Sequence, residues 1–242
     1  MTNREELIYK AKVCEQTERF EDMIECMKQV IASKSEELTT EERNLLSVAY
    51  KNTVGSRRTA WRALSAIEQK EESKGGKHTP LLRDYKKKIE EELNKFCNDI
   101  LNLITDQILK ACTTAESKVF FKKMKGDYYR YISEYASGEQ HSKVSQEALA
   151  VYNDATTDAE ELKKTNPIRL GLALNFSVFH YEVLNDPQKA CTMAKTAFDD
   201  AIGEIEELGD DEYKDSTTIM QLIRDNLTLW SSELDEGEGD DK

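Results

Sequence analysis

Chain breakers are scarce in this sequence. It has ten glycines and three prolines in 242 residues, about 5 % of the chain against a usual total near 12 %. A many-stranded β protein needs a turn every few residues and cannot be built from so little turn chemistry. Long helices with short connections can. Apolar residues recur at helical spacing through Leu7, Ala11 and Cys14, through Met23, Cys26, Met27 and Val30, and through Ile89, Leu93, Phe96, Ile100 and Leu103. No stretch alternates as a strand would.

The few breakers stand where helices should start or stop. Thr39-Thr40-Glu41-Glu42 contains T-x-x-E, a capping box. Asn166-Pro167 and Asp186-Pro187 each set a capping side chain before a proline at the first helical position. Lys74-Gly75-Gly76-Lys77 and Gly138 read as breaks, and Gly209 as a C-terminal stop. These marks predict an all-α fold of about nine helices, near 3–17, 20–34, 40–72, 78–110, 115–135, 140–163, 167–185, 188–206 and 212–233. A curved stack of antiparallel helices is expected, although no tetratricopeptide consensus repeats at its period. Segment 235–242 carries five acids, one Lys and no apolar residue. It is predicted to be a disordered acidic tail.

Acidic residues number 47 and basic residues 34, a net charge of −13. Nucleic acid and anionic membrane both call for basic surface, so neither is an expected partner. No apolar run approaches the ~18 residues of a membrane span, and the charged opening lacks the apolar core of a secretory leader. The five cysteines, Cys14, Cys26, Cys97, Cys112 and Cys191, are widely spaced and form no CxxC. They read as free thiols in a reducing compartment rather than as disulfide or zinc ligands. The expected location is the cytoplasm, with the nucleus as a second compartment. Neither cofactor nor metal is expected. Catalysis is not expected either: His78, His141 and His180 form no H-E-x-x-H, GxGxxG, P-loop and G-x-S-x-G are absent, and nothing marks a nucleophile with its base.

Two sets of polar residues remain. Lys51 and Arg58 are seven apart and so share a helical face. Lys123 and Arg130 repeat that spacing, with Asp127 between them and Tyr131 beside them. Four cations on two helices could converge on one anion, and the same spacing equally fits solvated surface charge. Leu174, Asn175, Val178 and Glu182 fall on one face of a later helix; Ile219, Leu222, Asn226 and Leu229 fall on one face of another, next to Trp230. An Asn among apolar residues can hold an extended peptide by its backbone N–H and C=O, or can sit at the margin of a core stripe. Residue patterns alone leave both open.

Longer blocks narrow the choice. Arg43-Asn44-Leu45-Leu46-Ser47-Val48-Ala49-Tyr50-Lys51-Asn52, followed by Gly55-Ser56-Arg57-Arg58 and Trp61-Arg62, resembles the first signature of the 14-3-3 proteins. Tyr213-Lys214-Asp215-Ser216-Thr217-Thr218-Ile219-Met220-Gln221-Leu222, running on to Trp230, resembles the second. The resemblance extends from about Arg4 to Leu234, through the blocks around Met124–Tyr131 and Pro167–Phe179. It implies one domain over 1–234 in a cup-shaped protomer. The first ~110 residues, in four helices, would dimerise, and residues from about 111 to 234 would complete an amphipathic groove. It implies a non-catalytic signalling adaptor that binds phosphoserine or phosphothreonine segments of client proteins, as a homodimer or with another isoform. The alternative is a helical scaffold that binds amphipathic or acidic segments without phosphorylation.

By the same resemblance, Lys51, Arg58, Arg130 and Tyr131 would bind phosphate, and Lys123 would line the groove nearby. Asn175 and Asn226 would hold the ligand backbone, with Glu182 and Trp230 as further contacts. Leu174, Val178, Ile219, Leu222 and Leu229 would form the apolar wall. At the dimer face it implies Arg19, Asp22, Ala60, Lys74, Tyr85 and Glu92, with Glu92 and Lys74 pairing to Arg19 and Asp22 across the interface. Four positions depart from the usual pattern: Thr218 for Leu in the wall, His180 for Tyr, an extra cation at Lys122, and Ala60 where many members carry a phosphorylatable Ser before the Trp.

Overall fold

The computed structural model of the chain describes residues 4–33 and 36–239, with backbone alone from 235 onward. Among the described residues there are nine helices and no strand: α1 Arg4–Gln16, α2 Phe20–Ser33, α3 Thr40–Glu72, α4 Thr79–Leu103, α5 Ala115–Ser133, α6 Gly138–Ala159, α7 Pro167–Glu182, α8 Pro187–Ile202 and α9 Asp210–Gly239. The helical pattern over 78–110 predicts one continuous helix. The structure instead ends α4 at Leu103 and continues through a π-turn, Ile104–Ile108, and a last turn, Leu109–Ala111. There the Thr105 hydroxyl bonds the Leu101 carbonyl at 2.7 Å. A single π-turn leaves the apolar pattern helical, so periodicity does not register it.

The end of the chain differs from its expectation. Backbone helix runs to Gly239, five residues into the segment read as a disordered tail. No proline intervenes after Trp230, and Glu is a good helix former. The rest of that segment, 240–242, lies outside the described residues.

The chain divides into two compact units, Met1–Cys112 and Thr113–Lys242. In the first, α1 packs on α2 and α3, α2 on α3, and α3 on α4. Thr39 starts α3 with both bonds of the capping box: its hydroxyl accepts from Glu42 N, and the Glu42 side chain accepts from Thr39 N at 3.0 Å. Glu42 is also the partner of Arg4, at 2.8 and 3.0 Å, while Arg4 donates to the Val30 carbonyl at 2.6 Å. One guanidinium thus ties three helices. Burial disfavours the Glu42 charge, yet the Arg4 bonds and the cap hold its pKa below the ordinary value. Tyr50, fully buried, donates to Asp99 at 2.5 Å, and Lys28 reaches the same carboxylate at 2.7 Å. These bonds fix α3 and α2 to α4.

In the second unit α5 packs along α6, α7 touches α5, α6 and α8, and α9 lies on α7 and α8. Two apolar clusters fill it. One gathers Val119, Tyr152, Leu172, Phe176 and Phe179; the other gathers Leu170, Ala190, Met220, Ile223 and Trp230. The α5–α6 contact is close because Gly126 lacks a side chain. A Cβ there would stand 2.7–2.8 Å from the ring of Tyr152. The start of α9 is held by Ser216, whose buried hydroxyl donates to the Thr165 carbonyl at 2.6 Å. Lys122 pairs with Asp154 and Asp158 of α6, both at 2.7 Å. The extra cation therefore staples α5 to α6 and is neutralised by two acids.

Candidate functional site

Helix α5 starts at Thr114, whose hydroxyl accepts from Ser117 N. From that start, residues 123, 127 and 130 come to one face, four and three apart. Asp127 is the hub. It is 6 % exposed, yet its carboxylate accepts from Lys123 at 2.8 Å, from the Tyr152 hydroxyl at 2.6 Å and from the Asn175 amide at 2.9 and 3.0 Å. These donors come from α5, α6 and α7. Burial opposes the Asp127 charge, but Lys123, Arg130 and the hydrogen bonds hold its pKa below the ordinary aspartate value. A buried carboxylate this well supplied stays ionised.

Arg130 sits beside the hub and is used differently. It is 8 % exposed. Its terminal nitrogens lie 3.7 Å from Asp127 and 3.6 Å from Glu182, longer than direct charge-assisted bonds. Its Nε is buried without a hydrogen-bond partner among the described residues. Burial works against its charge, yet Tyr152 and Asp127 keep its pKa above the ordinary value. Tyr131 presents its ring to the guanidinium at 5.0 Å. Arg130 is thus a desolvated, permanently charged donor, held by flanking carboxylates, with bonding capacity left over. Such a group suits an incoming anion with several acceptor oxygens.

The second unit therefore brings Lys123, Arg130, Tyr131, Asn175 and Glu182 to one place. Lys51, exposed, and Arg58, half-buried, lie on α3 of the first unit. On α7, Leu174 and Val178 are half-buried against the second cluster. On α9, Leu222 and Leu229 are 49 % and 54 % exposed, with Ile219 and Asn226 half-buried on the same face. Trp230, implied as a further ligand contact, lies at the inner margin of that face. It is 3 % exposed and stacks on Tyr181 at 4.9 Å, so its ring packs with the second cluster. Tyr181 also bonds Glu233, fixing α9 to α7 a second time. Thr218 is exposed and its hydroxyl donates to the Lys214 carbonyl at 2.8 Å, within its own helix.

At the implied dimer face, Arg19 and Asp22 pair with each other. Glu92 pairs with Arg57 at 3.0 Å inside its own unit. Ala60 is half-buried on α3, Lys74 is exposed in the turn after α3, and Tyr85 is 52 % exposed on α4. Sequence reasoning placed Asp127 on the right face without its role as hub. It gave no sign of Tyr152, 25 residues away on α6. Only the close approach at Gly126, a glycine inside a helix, could have hinted at a large neighbour there.

No helix among the described residues is long and apolar enough to cross a membrane. No group of three or more His, Cys, Asp or Glu among them could hold a metal ion.

The family model for 14-3-3 proteins matches residues 10–231. The chain is 55 % identical over 243 aligned positions to 14-3-3 protein 2 of Entamoeba histolytica, covering 100 % of both chains. It is 54 % identical over 244 positions to the 14-3-3-like protein GF14 psi of Arabidopsis thaliana, covering 100 % of this chain and 96 % of the relative. To 14-3-3 protein 9 of Solanum lycopersicum it is 56 % identical over 235 positions, 96 % of this chain and 90 % of the relative. A match of this length and identity, on an all-helical chain that carries both signature blocks, has one reading: the protein belongs to the 14-3-3 family.

Proposed function

We propose that this 14-3-3 chain is a non-catalytic, dimeric adaptor that binds phosphoserine- or phosphothreonine-containing segments of client proteins. Family membership supports the coarser part, an adaptor that binds clients. The observation that carries the finer part is the condition of Arg130: buried, charged, and with its Nε unpartnered among the described residues. A phosphoserine brings about −1.5 to −2 charges and three acceptor oxygens. In this reading Lys51 and Arg58 join Arg130 and Tyr131 on the phosphate. Lys123 lines the approach, Asn175 and Asn226 hold the ligand backbone, and the exposed leucines of α9 with Leu174, Val178 and Ile219 pack its side chains. The net charge of −13 does not oppose this, because the Debye length is about 8 Å at physiological salt and local cations dominate.

Dimerisation is supported by exposed apolar side chains in the first unit. Tyr9 and Val13 on α1, Ile67 on α3, and Leu81 and Tyr85 on α4 are 41–71 % exposed, and in this reading a partner protomer covers part of them.

Substitution of Arg58 tests the convergence. Arg58→Ala should leave the fold intact and lower affinity for a phosphopeptide by about 2–5 kcal/mol. Arg58→Lys should recover little of it, because planar paired donors are lost. A folded Arg58→Ala protein with unchanged affinity would falsify the assignment.

A further inference from the structure

The second unit holds a cavity of about 400 Å³ walled by α6, α7 and α8, a size at which small molecules are bound. Its floor is apolar: Leu170, Leu172 and Phe176 line it and are 4 % exposed or less. Three threonines of its wall bring no free hydroxyl donor. Thr156 donates to the Tyr152 carbonyl at 2.8 Å, Thr192 to Gln188 at 2.9 Å and Thr196 to Thr192 at 2.9 Å. The wall is therefore less polar than its composition.

Charge is confined to a few lining residues. Lys164 is neutralised by Asp200 at 3.2 Å and Glu204 at 4.0 Å. Arg169 is anchored differently, by one terminal nitrogen donating to the Leu162 carbonyl at 2.6 Å. It makes no ion pair among the described residues, and neither does the exposed Lys189. Glu160 is the single lining acid without a cation partner among the described residues. In a chain with a net charge of −13, an apolar cavity has two unpaired cations and one unpaired acid. Arg169 is already fixed in orientation, with N–H donors to spare, so little ordering is needed to bind a carboxylate.

We propose that this cavity binds a medium-chain aliphatic carboxylate. The acyl chain lies on Leu170, Leu172 and Phe176, and the carboxylate is received by Arg169 with Lys189 alongside. A sugar would need several hydroxyl partners along the apolar floor, where Leu170, Leu172 and Phe176 offer no polar side-chain atom.

Calorimetric titration of the full chain with sodium decanoate, below its micelle-forming concentration, tests this. One saturable site per chain is expected, about tenfold weaker in Arg169→Gln and about tenfold weaker for decanol than for decanoate. Ala197→Phe, which fills the cavity from α8, should abolish binding. Should that variant not fold, Lys189→Glu, at an exposed position, should weaken binding severalfold. Non-saturating uptake overturns the proposal. So does decanol binding as tightly as decanoate, or an unchanged affinity in Arg169→Gln.

Discussion

The Asp127 carboxylate accepts from the amide of Asn175 at 2.9 and 3.0 Å, across the gap between α5 and α7. An ionised carboxylate only accepts, so it fixes which end of the amide faces it. Asn175 Nδ2 must point to Asp127, and Oδ1 is turned elsewhere. The remaining N–H and the carbonyl oxygen form the donor–acceptor pair that an extended backbone needs.

Asp127→Asn should disturb that orientation, because the new side chain can offer either a donor or an acceptor. It also removes the counter-charge of Lys123. Affinity for a phosphopeptide should fall by about 1–2 kcal/mol, while phenyl phosphate, which has no peptide backbone, should bind at least as well as before. Calorimetry with both ligands reads the difference. Equal losses would mean that Asp127 acts on the phosphate site and not through Asn175.

Gly126→Ala sets two effects against each other. Alanine favours a helix interior by about 1 kcal/mol over glycine. But its Cβ would stand 2.7–2.8 Å from the Tyr152 ring, and that ring is stacked on Phe176 at 5.0 Å and packed against Phe179. Overpacking a core costs about 1–3 kcal/mol, so a net loss of stability is expected in denaturant titration. In a Tyr152→Leu background, where the ring is absent, the same Gly126→Ala change should cost less stability. A more stable Gly126→Ala protein would show that the ring can yield.

The structure shows which of these features a sequence can announce. Helix ends are local chemistry: the box at Thr39 and Glu42, and the caps at Asn166 and Asp186, bond as their residue types predict. Shared faces are legible for the same reason, since Lys123 and Arg130 meet by spacing within one helix. The Asp127 network is not local. Its donors Tyr152 and Asn175 lie 25 and 48 residues away, and nothing in their own segments marks them as partners. The burial of Trp230 is not local either, because one face of α9 looks alike whether it meets solvent or the core. Only Tyr181, on another helix, decides that.

His180 makes a prediction about acid. It is 7 % exposed, packed on Phe176 at 4.9 Å, and its Nδ1 has no hydrogen-bond partner among the described residues. Burial pushes its pKa below the ordinary 6.5, Asp186 opposing and Lys189 adding to the shift. The unfolded chain therefore takes up a proton at a higher pH than the folded one. Stability should decline as pH falls below 6.5 and level off once the folded imidazole is protonated. His180→Phe should remove that part of the slope. Melting temperatures at pH 7 and about pH 5.5 check it; identical slopes in the two proteins would mean that His180 takes up its proton alike in the folded and unfolded chain.

Phosphate recognition is the centre of the account, and one titration tests it most directly. A fluorescently labelled R-S-x-pS-x-P peptide and its unphosphorylated twin are each titrated with the full chain and followed by anisotropy. The phosphorylated peptide should bind at least about a hundredfold more tightly, since on the proposed reading it alone would make charge-assisted bonds to Arg and Lys. The preference should shrink as salt is raised. Equal affinity for the two peptides would contradict the account and leave a helical scaffold indifferent to phosphorylation.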